Sequence, residues 1–372
     1  MSGRGISDIK FDLLTSDRCV PDAVRAAMLE SPGFGQVFTD HMITLRWSRD
    51  RGWHEGKLQP YGPLVLDPAT AVLHYAQEIF EGMKAYRQES GPIVTFRPYV
   101  NAARFRASAA RMAMPELPDE AFVQAIEILV TQDKDWVPSG ALQSLYLRPF
   151  MIATTPALGV GKPASSYLFV VIASPSGSIF TGSGIRAVTV WLAQDYTRAA
   201  PGGTGAAKTG GNYAASFIAQ QQALDEGCDQ AVWLDAVEHR WVEEMGGMNL
   251  FFVYGSGAEA RIMTPPLTGS LLPGVTRDSL LTLAPDLGIA ASEGPISVEQ
   301  WRAGCESGEI TEVFACGTAA MISPVGVVKG RTGSWQIGDG QPGPVTMRLR
   351  EELLGIQFGH LPDPHGWIHK II

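Results

Sequence analysis

The sequence predicts an α+β protein of two domains, and three observations carry that prediction. The chain has 372 residues, and a domain usually takes roughly 100–200. Short strand-like runs mix with helical spacings in no repeating order, so the βαβ repeat of a Rossmann sheet is not expected. The stretch Ser174-Pro-Ser-Gly-Ser-Ile-Phe-Thr-Gly-Ser-Gly184 is rich in serine and glycine and long enough to join domains. The expected division is an N-terminal domain over 1–174, a linker over 175–185 and a C-terminal domain over 186–372.

Residues 41–49 partly alternate and read as a strand. Apolar residues over 99–113 and 119–132 recur at the spacing of amphipathic helices. Residues 144–149 and 167–173 read as strands. The second contains the longest clear apolar run, Leu168–Ala173, far short of the roughly 20 residues that cross a bilayer. Beyond the linker, 185–192, 230–235, 247–254 and 310–315 read as strands. Residues 213–226, 276–283 and 297–304 read as helices, the middle one opening right after Pro273-Gly274.

A composition of 45% hydrophobic and 18% charged residues is ordinary for a soluble globular protein. The net charge of −9 argues against nucleic acid as a partner. The opening MSGRGISDIKFDLL lacks the apolar core of a signal peptide. Cysteines 19, 228, 305 and 316 form no C-x-x-C pair, which suits free thiols in a reducing compartment and offers no zinc framework. His365 and His369 are four apart, but Gly366 and the prolines before it spoil a helix, so no metal site is expected. A cytoplasmic protein without membrane attachment is the expectation.

The most informative stretch is Pro201-Gly-Gly-Thr-Gly-Ala-Ala-Lys-Thr-Gly-Gly-Asn-Tyr213. The chain has only eight lysines, and Lys208 sits among glycines and small residues. Glycines allow close approach of a backbone to a ligand. A desolvated lysine offers the neutral amine that Schiff-base chemistry requires. A P-loop is a competing reading of 202–209, although Ala207 replaces its second glycine and Gly210-Gly211 oppose the helix it needs. A solvated glycine-rich turn is a third.

Leu271-Leu-Pro-Gly-Val-Thr-Arg277 runs from a loop into a helix, so N–H groups at 275 and 276 would face an anion. Gly317-Thr-Ala-Ala320, after a strand, offers a second turn able to hold phosphate or carboxylate. In Val242-Glu-Glu-Met-Gly-Gly-Met-Asn249, one of two acids could face a cationic ring nitrogen. Helix caps, turns and solvated charges are the ordinary explanations of each.

Together these segments resemble the branched-chain aminotransferases of the fold-type IV pyridoxal phosphate (PLP) enzymes. The resemblance runs from about residue 35 to the end. Its pieces, in order, are F-E-G-M-K-A-Y at 80–86, F-R-P-Y-V-N-A-A-R at 96–104, L-Y-L-R-P at 145–149, G-G-T-G-A-A-K-T-G-G-N-Y at 202–213, E-E-M-G-G-M-N-L-F at 243–251, L-L-P-G-V-T-R at 271–277 and G-T-A-A at 317–320.

The resemblance implies a small N-terminal α/β domain, a larger C-terminal mixed-sheet domain and a homodimer. It implies transfer of an amino group between L-leucine, L-isoleucine or L-valine and 2-oxoglutarate, giving branched-chain 2-oxo acids and L-glutamate. Lys208 matches the lysine that binds the cofactor covalently. Tyr213 matches the partner of its phenolic oxygen, and Glu244 that of its ring nitrogen. Arg104, Val275, Thr276 and Thr318 match the phosphate contacts. Thr318 and Ala319 match the grip on the substrate α-carboxylate, and Tyr75, Phe80, Tyr146 and Arg148 the substrate pocket, with Lys84 nearby.

Two departures stand out. Ala320 and Ser323 replace a redox C-x-x-C, so thiol regulation of that kind is not expected. Gly247 stands where some members have threonine, which removes a hydroxyl near the ring. D-amino acid aminotransferases and aminodeoxychorismate lyases share the fold but fit the lysine segment and the chain length less well.

Overall fold

The computed structural model describes residues 9–159, 161–177 and 185–372. The strands are β1 (Phe11–Leu13), β2 (His41–Ser48), β3 (Gly52–Pro60), β4 (Glu78–Phe80), β5 (Met83–Arg87), β6 (Ile93–Phe96), β7 (Ser144–Ala153), β8 (Ser166–Ser176), β9 (Val188–Ala193), β10 (Gln230–Leu234), β11 (Val242–Met245), β12 (Met248–Tyr254), β13 (Arg261–Thr264), β14 (Ala290–Glu293), β15 (Ile310–Gly317), β16 (Met321–Gly330), β17 (Gly333–Gln336) and β18 (Ile368–Lys370). The helices are α1 (Asp22–Glu30), α2 (Ala71–Tyr75), α3 (Pro98–Arg111), α4 (Asp119–Gln132), α5 (Gly210–Ala214), α6 (Phe217–Asp225), α7 (Val275–Asp286), α8 (Val298–Ser307) and α9 (Pro344–Phe358). The described residues fall into two compact units. The first holds residues 9–159, 161–177, Ala207–Gly210 and Ile356–Ile372; the second holds 185–206 and Gly211–Gly355.

In the first unit the strands run β1-β3-β2-β8-β7-β5-β6-β18, with β4 also on β7. The centre is antiparallel, β7 lying on β8 from Ser144↔Ser176 to Ala153↔Tyr167. Because both faces of β8 are covered, it reads as an apolar run rather than an alternation. On one face Phe169 meets Phe105 of α3 and Phe122 of α4. On the other, Val170 clusters with Ile152 and Leu168. Helix α3 puts Ala102, Phe105 and Ala109 into the core. It also carries Asn101, Arg104 and Ser108, at i, i+3 and i+7, as a buried polar stripe. Buried polar atoms must find partners, and those partners build part of the candidate site.

In the second unit the order is β11-β10-β9-β16-β15-β12-β13-β14, with β17 on β16. Strand β11 also pairs with β12, which closes β11, β10, β9, β16, β15 and β12 into a ring. Parallel pairs (β9 with β10 and β16, β13 with β14) mix with antiparallel ones, as the expected mixed sheet requires. Trp301 of α8 packs edge-on against Phe252 and Trp335 in its core.

Several expectations need correction. Residues 356–372, assigned to the C-terminal domain, belong to the first unit, because β18 pairs with β6 through Ile368↔Phe96. Pro175 and Ser176, assigned to the linker, complete β8, while 178–184 lie outside the described residues. The single helix expected over 213–226 is two. The Ser216 hydroxyl and N–H both donate to the Tyr213 carbonyl, at 2.6 and 3.0 Å, and the chain turns before α6 starts. Among the described residues no helix is long and apolar enough to cross a membrane.

Candidate active site

The predicted residues fall into two groups, one in each unit. The first gathers around the α3 stripe. Glu81, fully buried just after β4, accepts from Arg104 Nε at 2.7 Å and Nη2 at 2.8 Å, and from Asn101 Nδ2 at 2.9 Å. Burial pushes its carboxyl up. The Arg104 charge and hydrogen bonds outweigh that, helped by Lys208 and Asn101, and hold it below the usual carboxylate range. The third member of the stripe, Ser108, accepts the Lys208 N–H at 3.0 Å. Phe80 N–H donates to the Lys208 carbonyl at 2.9 Å. The Lys208 ammonium lies 5.0 Å from the centre of the Phe80 ring.

Alternation along β7 puts Tyr146 and Arg148 on one face while Leu145 and Leu147 enter the core. Arg148 Nη2 donates to the Tyr146 hydroxyl at 3.1 Å, and its guanidinium sits 4.8 Å from the Phe80 ring centre. Arg148 Nε is buried without a partner. A side chain on Gly82 would overlap the Tyr146 hydroxyl, so glycine is required there. Lys84 is buried opposite Tyr146. Phe80, Tyr146 and Arg148 are therefore brought together. Tyr75 is not: it is 41% exposed. It lines a cavity of about 740 Å³ with Gln77, Met112 and Leu158, to which those three do not contribute.

The second group centres on Glu244. Its Oε1 accepts from Leu272 N–H at 2.6 Å and Asn249 Nδ2 at 3.3 Å, and its Oε2 pairs with Arg198 at 2.8 Å. Glu243, next along β11, takes the Ser270 hydroxyl instead. Asn249 also donates to the Leu272 carbonyl at 3.1 Å, so the loop leading into α7 is tied to the acid. A side chain on Gly274 would overlap Asn249. Helix α7 opens at Val275 and Thr276, both buried, with no side-chain cap, which leaves backbone N–H groups for an anion. A Cβ at Gly247 would lie 3.3 Å from the Tyr213 ring, so the missing side chain makes room for that tyrosine. Thr318 and Ala319 form the β15–β16 turn. Met321 after them holds φ of +61°, a conformation uncommon for a non-glycine residue.

An uncapped buried helix start, an ion-paired buried carboxylate and a tyrosine seated against a glycine fit the phosphate, ring nitrogen and phenolic oxygen of PLP. Two expectations change. The close approach made by Gly205 is to the Ser270 backbone of the protein itself, not to a ligand. The two glycines after Lys208 do not prevent a helix, since α5 starts at Gly210, but the Gly210 N–H is taken by the Glu78 carboxylate. A P-loop would turn such an amide toward phosphate.

Sequence reasoning did not single out Glu78, Glu81, Ser108, Arg198 or Asn249. Glu81 and Asn249 lie inside matched motifs. The i, i+3, i+7 polar stripe on α3 was readable as a second signal.

The Amino-transferase class IV family pattern matches residues 78–328. A probable branched-chain-amino-acid aminotransferase of Streptomyces coelicolor is 59% identical over 362 residues, 97% of this chain and 98% of the relative. The branched-chain-amino-acid aminotransferase of Mycolicibacterium smegmatis is 57% identical over 98% of both chains. The crystal structure of the T.th. branched-chain amino acid aminotransferase with pyridoxamine 5′-phosphate is similar at a TM-score of 0.72. It is 29% identical and covers 88% of this chain and 98% of that one.

Proposed function

The chain belongs to the class IV amino-transferases, among the branched-chain-amino-acid aminotransferases, and on that premise we propose that it moves the amino group of L-leucine, L-isoleucine or L-valine to 2-oxoglutarate. The products are the branched-chain 2-oxo acid and L-glutamate, and the cofactor is PLP. When bound, PLP supplies an aldehyde that condenses with amines and a ring that draws electrons from the substrate Cα.

The chain's own residues do the rest. Lys208 Nζ would hold the cofactor at rest and, once released, would be the base that takes the proton from the substrate Cα. Glu244 balances the positive ring nitrogen, and Tyr213 donates to the phenolic oxygen. Arg104, the Val275 and Thr276 amides and the Thr318 hydroxyl hold the phosphate. Two of Arg104's donors are already fixed on Glu81, which orients the guanidinium. The Thr318 and Ala319 amides take the α-carboxylate. Phe80 offers an apolar wall, while Tyr146 and Arg148 receive the second carboxylate of glutamate. One methylene discriminates by only about 1–3 kcal/mol, so a relaxed preference among the three branched substrates is expected.

The observation that carries the reading is Lys208 itself, held at both its N–H and its carbonyl while its amine lies over Phe80. A homodimer is part of the proposal. Tyr75 and Leu158, 41% and 67% exposed on one cavity, are the kind of apolar surface a partner covers. Free cysteines support a cytoplasmic location. The test is the absorbance spectrum of the purified protein before and after L-leucine, with D-leucine alongside, followed by borohydride reduction and peptide mapping. A pyridoxyl adduct on Lys208 and a response to the L-isomer alone are expected. Turnover of D-leucine would move the chain to another branch of the fold.

A further inference from the structure

Lys208 sits in a turn fastened to the first unit at three points. Two are its own N–H on Ser108 and its own carbonyl on Phe80 N–H. The third is Glu78, at the start of β4. A single oxygen, Oε1, accepts from the Gly210 N–H and, at 3.3 Å, from the Thr209 hydroxyl. A Cβ on Gly210 would lie 2.5 Å from that oxygen, so the glycine is what lets the carboxylate close on the backbone. Thr209 is buried, which leaves its hydroxyl dependent on this partner. Burial pushes the Glu78 carboxyl up, and its two donors and the Arg148 charge only partly counter that. A carboxyl kept in so unfavourable a place needs a reason in the contacts it makes. Here they fall on the two residues after the reactive amine.

We propose that Glu78 is a positioning residue of the reaction, anchoring Thr209 and Gly210 so that the Lys208 amine is delivered to the same point in every turnover. The proposal rests on the reading of Lys208 as the reactive lysine. The physical case is that a lysine amine rides on four flexible methylenes. Its reach is only as well defined as the backbone that carries it, and a misplacement near 1 Å can cost about 100-fold in rate.

The test uses the holoenzyme and the variants Glu78→Ala, Glu78→Asp and Glu78→Gln. Alanine removes the acceptor and aspartate withdraws it by one methylene. The glutamine amide oxygen can still accept both donors. Alanine and aspartate should lower kcat about 10- to 100-fold with KM for L-leucine little changed. Both should also speed backbone hydrogen exchange in the peptide covering 207–212. Glutamine should stay near wild type in both measurements. If alanine prevents folding, aspartate supplies the comparison. Wild-type kcat and exchange in the aspartate variant would overturn the proposal, and so would a glutamine variant as slow as aspartate. Borohydride mapping of the wild type is the separate arm. An adduct away from Lys208 removes the lysine assignment, whereas an adduct on Lys208 with unaffected Glu78 variants removes only the positioning role.

Discussion

Arg104 and Glu81 in the first unit meet side chain to side chain, with Asn101 as the third member. Glu244 in the second unit also meets an arginine, Arg198, but it accepts a backbone N–H from Leu272 as well, and the α7 amides beside it belong to the backbone too. Most substitutions delete a side chain and leave the backbone amide in place; only proline removes the N–H. The first group should therefore fail when its named side chains are removed. The second should fail when its glycines are filled, whereas loss of Glu244 should be felt in the chemistry more than in the fold.

The largest effect expected is from Lys208→Ala, which removes the only group in either set assigned to proton transfer. Turnover should fall by at least about 10²–10⁴-fold, and the protein should no longer yield a borohydride adduct at that position. Steady-state rates and mapping check this together, and near-normal activity would end the assignment.

Next comes the pair of buried acids. Glu81→Ala leaves Arg104 buried without its carboxylate and should cost about 3–5 kcal/mol in denaturant unfolding. Glu244→Ala should cost less stability, because Arg198 keeps the Gly205 and Ser270 carbonyls at 3.3 and 3.1 Å. It should cost more in kcat. Equal unfolding shifts for the two would erase the contrast.

Glycine substitutions sharpen it. Gly205→Ala drives a methyl into the Ser270 backbone, which cannot rotate away, and a loss of about 1–3 kcal/mol is expected. Gly82→Ala meets the Tyr146 hydroxyl and the ring carbon that carries it, a side chain rather than a backbone. It should lower the melting temperature less than Gly205→Ala does and raise KM for 2-oxoglutarate more than for L-leucine.

The smallest effect concerns pH. Burial pushes the Asp235 carboxyl up, but the N–H groups of Glu238, Arg240, Trp241 and Val237 more than reverse this, bringing it to about 2 from an ordinary 3.8. Its stabilisation is therefore present above pH 3.8 and lost as pH falls toward about 2. Asp235→Asn should flatten that part of a stability-against-pH curve. An unchanged slope would show that the turn does not depend on the charge.

Motifs made of neighbours in the chain were readable. The 119–132 helix, the α7 start after Gly274 and the lysine segment all announce themselves through local spacing and glycine placement. What was not readable depends on partners far along the chain. Ser108 meets Lys208 a hundred residues on, and Glu78 meets Gly210 across a longer gap, so neither shows in any window of sequence. The break after Ala214 was missed because a serine hydroxyl competing for a backbone carbonyl leaves the helical spacing of 213–226 intact.

The antiparallel pairing of β18 with β6 has a consequence for biosynthesis. At roughly 5–20 residues per second, the ribosome delivers the edge strand Ile368–Lys370 tens of seconds after the strand it must join. The first unit's sheet is thus completed only after the second unit's residues have been made. Until then β6 presents an open edge, which invites pairing with nascent neighbours, so losing a few residues at 368–370 should be felt as aggregation of early-made segments rather than as damage to the later-made ring.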